Sequence, residues 1–433
     1  MLSVAIVGLG GRGGVYAEFQ NKRPDLMKIV AVADVKKKLI EKYKKEFSLP
    51  EEMCFSSAEE LLSHNRLADV IIIATMDRDH YAHTIRAIEL GYDILLEKPI
   101  SPSYEECVDI KRRADEKGVH VRICHVLRYT EYFKKLKEVL ESGTIGEIRA
   151  IENTENIAYW HYAHSFVRGN WGNSANSSSI ILQKCCHDAD IITWLIDKKP
   201  LRVTSFGGLN YFKKENAPNG SPDRCNKTCS KYHTCPYNAE RFYLTEGYMK
   251  MSSNDKKNDW MYKALCFGNP SVDGIKSALE KTNFGKCVFK CNNDVCDHQS
   301  MLVEYEDGTI ATHTLSAFTQ ECYRSTKIFG TKGEIECNDR DLIIRIKKFD
   351  GGALIRHDKA SAIEEVIDIE AITTDLSGHN GGDNALMLDF LTYVEKKQRN
   401  NEILHSEDII VSHKICFAAE ESRLSGGKPV EIK

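Results

Sequence analysis

The stretch Leu2-Ser-Val-Ala-Ile-Val7, followed at once by Gly8-Leu-Gly-Gly-Arg-Gly13, decides the architecture of the N-terminal part of the chain. Its first six residues form an apolar run that predicts a buried strand. Gly8, Gly10 and Gly13 have the spacing of a tight turn between that strand and a helix. Such a turn directs the helix N-terminus at a phosphate group. The order strand, glycine turn, helix therefore predicts a doubly wound α/β domain that binds a dinucleotide.

The type of dinucleotide follows from the end of the second apolar run, Lys28–Ala33. Asp34 follows this run, about 20 residues after the glycine turn, where an acid binds the ribose 2′-hydroxyl of NAD. A carboxylate repels a 2′-phosphate, so NAD is favoured, while Lys36 and Lys37 leave NADP as the less favoured alternative. The motif thus predicts these cofactor-binding residues: Gly8, Gly10, Gly11, Arg12, Gly13 and Asp34.

The rest of the chain shows two patterns of hydrophobicity. Up to residue 125, continuous apolar runs alternate with amphipathic helices, which is typical of a parallel sheet buried on both faces. Beyond residue 125, longer alternating runs such as Arg149–Glu155 and Thr309–Phe318 predict antiparallel strands with one covered face. We therefore expect a dinucleotide-binding domain over 1–125 and a second α/β domain over 126–433. A polar insertion with several cysteines spans roughly 213–290, and a helix is predicted over Ile180–Leu195.

Composition excludes several classes of protein. Lys plus Arg is 59 and Asp plus Glu is 63 in 433 residues, so the near-zero net charge of -4 argues against nucleic-acid binding. No apolar run approaches the roughly 20 residues of a membrane span. The first residues lack the basic region of an export signal, which predicts a cytoplasmic protein. Its fifteen cysteines are then expected to be free thiols or metal ligands.

Several further motifs appear in a fixed order. They are His80 within residues 74–91, Glu97-Lys98-Pro99, Ile145-Gly-Glu-Ile148, His187-Asp-Ala-Asp190, Ile328–Glu336 and Ser377-Gly-His-Asn-Gly-Gly-Asp383. As a set they resemble the glucose–fructose oxidoreductase / inositol dehydrogenase / rhizopine catabolism (Gfo/Idh/MocA) family over nearly the whole chain. The segment Tyr159–Trp171 and the cysteine insertion are similar to a branch of mostly unassigned microbial members.

The resemblance implies a fold and an activity. The fold is an N-terminal Rossmann domain with a doubly wound parallel sheet, plus a C-terminal α/β domain with an open, mostly antiparallel sheet. The activity is oxidation or reduction of sugars, cyclitols and related polyols with a nicotinamide cofactor. Members usually form oligomers, so we expect a homodimer or homotetramer. The resemblance also adds His80, Glu97 and Lys98 to the residues beside the cofactor.

Hydride transfer from a carbinol needs a group that takes the hydroxyl proton. The resemblance assigns Lys98 to the reacting oxygen, the alternative being a surface lysine. Lys184, His187 and Asp190 are three apart, so they share one face of the predicted helix. His187 is then the proton acceptor, and Asp190 orients its ring. The alternative for His187 is a core histidine paired for structural reasons.

One position departs from the family pattern. Family dehydrogenases often carry an acid four residues before this histidine, and Gln183 stands there instead. Glutamine cannot accept the proton, so the usual relay is in doubt. Lys184, the next residue, is the candidate to replace the acid or to bind an anionic group.

The substrate side is predicted from a segment rich in aromatic and basic residues. Aromatic faces stack on sugar rings, and arginine or histidine binds hydroxyl groups. A polar loop with a tryptophan anchor is the alternative for any single residue. The predicted substrate-binding residues are Trp160, His161, His164, Arg168 and His379, the last in a glycine-rich turn.

Six cysteines of the insertion form two groups, Cys225, Cys229 and Cys235, then Cys287, Cys291 and Cys296. A structural zinc ion needs four Cys or His ligands. We assign Cys225, Cys229, Cys235 and Cys291 to such a site, with an iron–sulfur cluster or unligated thiols as alternatives. If Lys286–Cys291 is a strand, Cys287 and Cys291 share one face of it.

Three functions are compatible with these residues. The first is an NAD(P)-dependent oxidoreductase that acts on a ring hydroxyl of a sugar, cyclitol or derivative. The second is an NAD-dependent glycoside hydrolase that forms a transient keto-sugar and then eliminates the substituent and adds water. Gln183 and the histidine-rich segment fit this second function somewhat better. The third is a non-catalytic dinucleotide sensor, against which Lys98 and His187 argue.

Overall fold

The computed structural model describes residues 1–252, 259–266, 270–349, 363–373, 377–400 and 408–432. Fifteen strands and fourteen α-helices are recorded within these residues. None of these helices has both the length and the apolar character that crossing a membrane requires. The helices are α1 Gly11–Lys22, α2 Lys37–Phe47, α3 Ala58–Ser63, α4 His80–Glu89, α5 Tyr104–Lys117, α6 Glu131–Glu141, α7 Tyr159–Tyr162, α8 Ile180–Gln183, α9 Cys186–Ile196, α10 Trp260–Leu265, α11 Val272–Lys281, α12 Ser377–Asn380, α13 Gly382–Asn400 and α14 Val411–Leu424.

The N-terminal sheet has six parallel strands in the order β3-β2-β1-β4-β5-β6. The crossovers reverse direction between β1 and β4, and ligands bind at the carboxyl ends of strands at such a point. The predicted doubly wound domain is therefore confirmed. Its strands are β1 Leu2–Val7, β2 Met27–Ala33, β3 Cys54–Phe55, β4 Val70–Ile73, β5 Asp93–Leu96 and β6 Val121–Ile123.

The C-terminal sheet has nine strands in the order β14-β13-β12-β11-β7-β10-β9-β8-β15. Only β7 and β10 pair in parallel, so the predicted mostly antiparallel sheet is confirmed. Helices α9 and α14 pack on one face. The strands are β7 Ile148–Ala158, β8 Pro200–Gly208, β9 His298–Tyr305, β10 Ile310–Thr319, β11 Tyr323–Gly330, β12 Gly333–Asn338, β13 Ile343–Lys348, β14 Ile363–Asp368 and β15 Val430–Glu431.

Helix α13 belongs to the N-terminal core, although it lies late in the sequence. Its apolar side chains, among them Leu386, Phe390 and Val394, are buried against residues of β1, β2 and α1. The sequence boundary at residue 125 therefore does not separate the two hydrophobic cores.

The insertion has a small core of its own. Tyr243, Tyr262, Leu265 and Ile275 are buried together there. Residues Lys286–Cys291 do not form a strand, because Lys286 forms a single bridge with Arg224. The chain then turns, and the backbone N–H of Lys290 donates to the carbonyl oxygen of Cys287 at 2.9 Å.

The predicted helix over Ile180–Leu195 is broken. Helix α8 ends at Gln183, and α9 begins at Cys186. In an unbroken helix the Gln183 carbonyl would accept the backbone N–H of His187. It accepts instead the ammonium of Lys98, at 3.0 Å. A side chain from the N-terminal domain thus satisfies the carbonyl at the break.

Candidate active site

The glycine turn after β1 leaves room for a pyrophosphate. A Cβ on Gly13 would lie 1.8 Å from the carbonyl oxygen of Gly8, and a Cβ on Gly8 would lie 2.4 Å from that of Ala74, so neither position tolerates a side chain. A Cβ on Gly10 or Gly11 would meet nothing within 4 Å. The close-packed glycines bring the helix to the strand, and the open ones lie at the N-terminus of α1. These residues fit a dinucleotide.

Asp34 is tied to this turn. Its carboxylate accepts the backbone N–H of Leu9 and that of Lys36, each at 2.7 Å. The side chain is half-buried at the end of β2. This fixed position beside the turn supports the assignment of Asp34 to the cofactor ribose.

The Arg12 side chain is held by protein groups. Its guanidinium donates to Glu97 at 2.6 Å, to the Tyr16 hydroxyl at 2.6 Å and to Asp383 of α13 at 2.7 Å. Although burial opposes the charge of Glu97, Arg12 and Lys98 hold the pKa of this carboxyl below its ordinary value. The side chains of Arg12 and Glu97 therefore brace the glycine turn, and the part of Arg12 left for a cofactor is its backbone.

His80 is also occupied by backbone groups. Its Nδ1 lies 2.8 Å from the carbonyl oxygen of Pro99, and its Nε2 lies 3.2 Å from that of Thr75. The ring is buried. His80 thus holds the Glu97-Lys98-Pro99 loop in place, next to the cofactor crevice.

Lys98 and His187, the two predicted catalytic residues, meet at the break between α8 and α9. Lys98 is half-buried, and its ammonium has one hydrogen bond among the described residues, to Gln183. His187 is buried, and its Nδ1 has no partner among those residues. Burial, together with Lys98, holds the pKa of His187 well below its ordinary value. The site therefore presents a cation with free donors beside a neutral imidazole.

The predicted partners of His187 are engaged elsewhere, which corrects two expectations. Asp190 does not orient the His187 ring, because both of its oxygens accept from Arg128 at 2.7 Å. Lys184 is paired with Glu155 of β7 at 2.9 Å. Although burial opposes its charge, Glu155 raises the pKa of Lys184. Lys184 is thus a fixed positive charge and has no lone pair with which to replace the missing acid.

The structure separates the predicted substrate-binding residues of the segment 159–168 into two sets. His164 and Arg168 are buried beneath the insertion. His164 lies 3.1 Å from the Tyr243 hydroxyl, and Arg168 donates to the carbonyl oxygens of Lys286 and Tyr237. These bonds tie both side chains to the insertion, although Nη1 of Arg168 has no partner among the described residues. The prediction that they line the site together with His161 is wrong. Trp160 and His161 remain half-buried.

His379 lies at the other end of the cleft. Its Nδ1 is 3.0 Å from Asp383 and 3.5 Å from Arg12, and its side chain is 46% exposed. His379 is also among the groups that lower the pKa of His187. The glycine-rich turn thus places an accessible imidazole near the glycine loop.

Three side chains close to these residues were not predicted from the sequence. His125 follows β6, and its ring is 5.9 Å from that of His187. Its position after a parallel strand was a usable signal. The thiol of Cys322 lies 3.4 Å from Nδ1 of His161, and the ring of Trp260 lies 5.1 Å from that of His161. No sequence pattern pointed to either, since both come from distant parts of the chain.

The predicted zinc ligands are not assembled. Within the described residues, no three of Cys225, Cys229, Cys235 and Cys291 have their sulfur atoms within 4.8 Å of one another. Burial raises the pKa of Cys291 to about 11. All fifteen cysteines are unpaired thiols.

The comparisons with known proteins identify the family of the chain. The description "Oxidoreductase family, NAD-binding Rossmann fold" of the Gfo/Idh/MocA family matches residues 2–125, and its "C-terminal alpha/beta domain" matches residues 137–432. The chain belongs to the Gfo/Idh/MocA oxidoreductase family.

Three relatives show how far the likeness extends. YteT of Bacillus subtilis (strain 168), which carries an oxidoreductase name, is 24% identical over 74% of this chain and 71% of its own length. The 2,7-anhydro-N-acetylneuraminate hydratase of Escherichia coli (strain K12) is 28% identical over 48% of this chain and 53% of its own. The scyllo-inositol 2-dehydrogenase (NADP(+)) IolW of Bacillus subtilis (strain 168) is 28% identical over 39% and 44%. The chain thus spans about half the length of the last two.

The fold is also found among solved structures. The structure of a levoglucosan dehydrogenase in complex with NADH superposes with a TM-score of 0.68 at 14% identity. The superposition covers 100% of this chain and 99% of that one. At this identity the likeness supports the fold alone.

Proposed function

We propose that this member of the family transfers hydride between NAD and a ring hydroxyl of a sugar, cyclitol or derivative. The observation that carries the proposal is the pair Lys98 and His187, an ammonium with free donors beside a neutral imidazole. The dehydrogenase among the relatives supports the substrate class. Asp34 supports NAD over NADP, and Lys36 and Lys37 keep NADP as the less favoured cofactor.

The cofactor would supply the hydride acceptor, held by Gly8, Gly10, Gly11 and Gly13 with Asp34 at its ribose. Lys98 donates a hydrogen bond to the substrate oxygen and stabilises the negative charge that develops on it. The neutral His187 accepts the hydroxyl proton, since its ring keeps one nitrogen lone pair free. Lys184, paired with Glu155, is held in place beside Gln183.

Replacement of Lys98 tests the assignment. Lys98→Met keeps the length of the side chain but removes its charge and donors, so kcat should fall by roughly 100-fold or more. NAD affinity, measured by fluorescence titration, should change little. Lys281→Met, at an exposed lysine of the insertion, is the control. A kcat within threefold of wild type would remove Lys98 from the mechanism.

A second function is favoured by Gln183 and by the hydratase relative. In this cycle the oxidised ring carbon acidifies the neighbouring C–H, the glycosidic substituent is eliminated, water adds and the ketone is reduced again. Net redox change is zero. A panel of free sugars, polyols and chromogenic glycosides, followed for NADH and aglycone together, separates the two. NADH that accumulates with product indicates a dehydrogenase, whereas aglycone release without NADH indicates the redox-assisted glycosidase.

Three finer statements stay predictions. A structural zinc ion in the insertion requires the thiols to move closer together, and elemental analysis of protein purified without added metal tests it. A homodimer or homotetramer would cover the half-exposed apolar side chains Leu302 and Ile310 of the open sheet. A cytoplasmic location agrees with fifteen unpaired thiols.

A further inference from the structure

The insertion places a tryptophan beside the segment that follows β7. Trp260 begins helix α10, and 45% of its side chain is exposed. Its ring lies 5.1 Å from that of His161 and 5.2 Å from that of His164. Its exposed ring face is available to stack on a ligand.

A second tryptophan extends this surface. Trp160 stacks on His161 with 5.6 Å between ring centroids and 24° between ring planes. Its other contacts are with the buried core of the insertion. Trp160, His161 and Trp260 therefore form one contiguous set of rings, which we call the aromatic platform.

The platform adjoins the reactive cleft. Nδ1 of His161 lies 3.4 Å from the exposed thiol of Cys322, at the start of β11. The ammonium of Lys98 binds the carbonyl oxygen of Gln183, and the next residue, Lys184, pairs with Glu155 at 2.9 Å. Glu155 lies near the end of β7, and the platform residues follow that strand directly. A molecule bound to Lys98 therefore lies within reach of the platform.

We propose that the aromatic platform is a second subsite, which stacks a ring covalently attached to the sugar that reacts at Lys98. The platform offers apolar faces and a neutral imidazole, so its occupant is an uncharged ring, either a second pyranose or an aromatic aglycone. The substrate class is then a glycoside or disaccharide and not a free monosaccharide. This inference rests on the proposed function, since it requires a sugar at Lys98.

Truncation of Trp260 tests the subsite. The holoenzyme with NAD is assayed on the best free sugar of the panel and on its phenyl glycoside. For Trp260→Ala we expect kcat/KM on the phenyl glycoside to fall by about tenfold and that on the free sugar to stay within twofold, because only the attached ring loses its stacking partner. Trp260→Phe, which keeps a ring, should recover most of the loss. Met249→Ala, at an exposed apolar residue of the same insertion, is the matched control.

The outcomes separate the subsite from the proposed function. Equal losses on both substrates, or no loss on the phenyl glycoside, would contradict the subsite while free-sugar oxidation upholds the function. If the wild-type enzyme oxidises no sugar, the function fails and a binding readout decides the subsite. Alkylation of Cys322, followed by mass spectrometry, should then be slowed at least threefold by phenyl glucoside or phenyl galactoside but not by the methyl glycosides, with Cys54 as the internal control. Equal protection by methyl and phenyl glycosides would overturn the subsite.

Discussion

At the scale of single residues, the electrostatics of the cleft depend on which charged side chains lack an oppositely charged partner. Asp190 is neutralised by Arg128, Glu155 by Lys184 and Glu97 by Arg12. Among the described residues, the ammonium of Lys98 makes its only hydrogen bond to an uncharged carbonyl. Its ammonium is therefore available to a substrate oxygen, which the motif could suggest but the sequence could not establish.

Asp34 gives a residue-scale prediction about the cofactor. Asp34→Ala removes the carboxylate that accepts the N–H of Leu9 and is assigned to the ribose, so the Kd for NADH should rise roughly tenfold or more, the loss expected when a hydrogen-bonded charge is removed. Fluorescence titration with NADH measures it. Asp25→Ala, whose carboxylate pairs with Arg23 on the surface, should bind NADH as the wild type does. An unchanged Kd for the Asp34 variant would show that another residue contacts the ribose.

At the scale of elements, the strands and the glycine turn were predictable because their signals are local. Apolar runs and glycine spacing identify β1, β2 and the start of α1 without knowledge of the rest of the fold. The break between α8 and α9 was not predictable, because the group that satisfies its free carbonyl, Lys98, lies 85 positions earlier in the chain. His164 and Arg168 were misassigned for the same reason, since their partners lie on an insertion whose path has no periodic signal.

The ion pair between Glu155 of β7 and Lys184, which lies between α8 and α9, gives a prediction about stability. Glu155→Gln removes the carboxylate that Lys184 and the buried Arg324 share, and we expect the free energy of unfolding to fall by about 3 kcal/mol. Urea unfolding followed by circular dichroism measures this change. Glu152→Gln, on the same strand but exposed, is the matched control and should lose less than about 0.5 kcal/mol. A loss no larger than that of the control would mean that Lys184 does not need its partner.

At the scale of the whole molecule, several histidine rings are buried and neutral. Burial lowers the pKa of His120, His125 and His164 to about 3, and it holds those of His187 and His413 well below the ordinary value. In the unfolded chain each of these rings takes up a proton near pH 6.5. The folded protein therefore binds fewer protons than the unfolded chain below about pH 6.5.

The sign of the pH dependence follows directly. Unfolding is coupled to proton uptake below pH 6.5, so the free energy of unfolding should fall as the pH is lowered from 6.5 towards the folded-state value of about 3. Three such rings alone correspond to a limiting slope of about 4 kcal/mol per pH unit, approached about one unit below pH 6.5. Urea unfolding at pH 7.5, 6.5 and 5.5 tests this slope, and His233→Gln, at an exposed histidine, should leave it unchanged. Equal stability at pH 7.5 and 5.5 would contradict it.

Helix α13 has a consequence for how the molecule could be divided. Leu386, Phe390 and Val394 pack against the apolar side chains of β1, β2 and α1. A fragment that ends near residue 125 lacks α13 and would expose those apolar side chains to solvent. Such a fragment would aggregate instead of folding as an autonomous nucleotide-binding unit. We therefore expect the two halves of this polypeptide to fold together, and an exchange of the N-terminal half with that of a relative to fail unless α13 is exchanged with it.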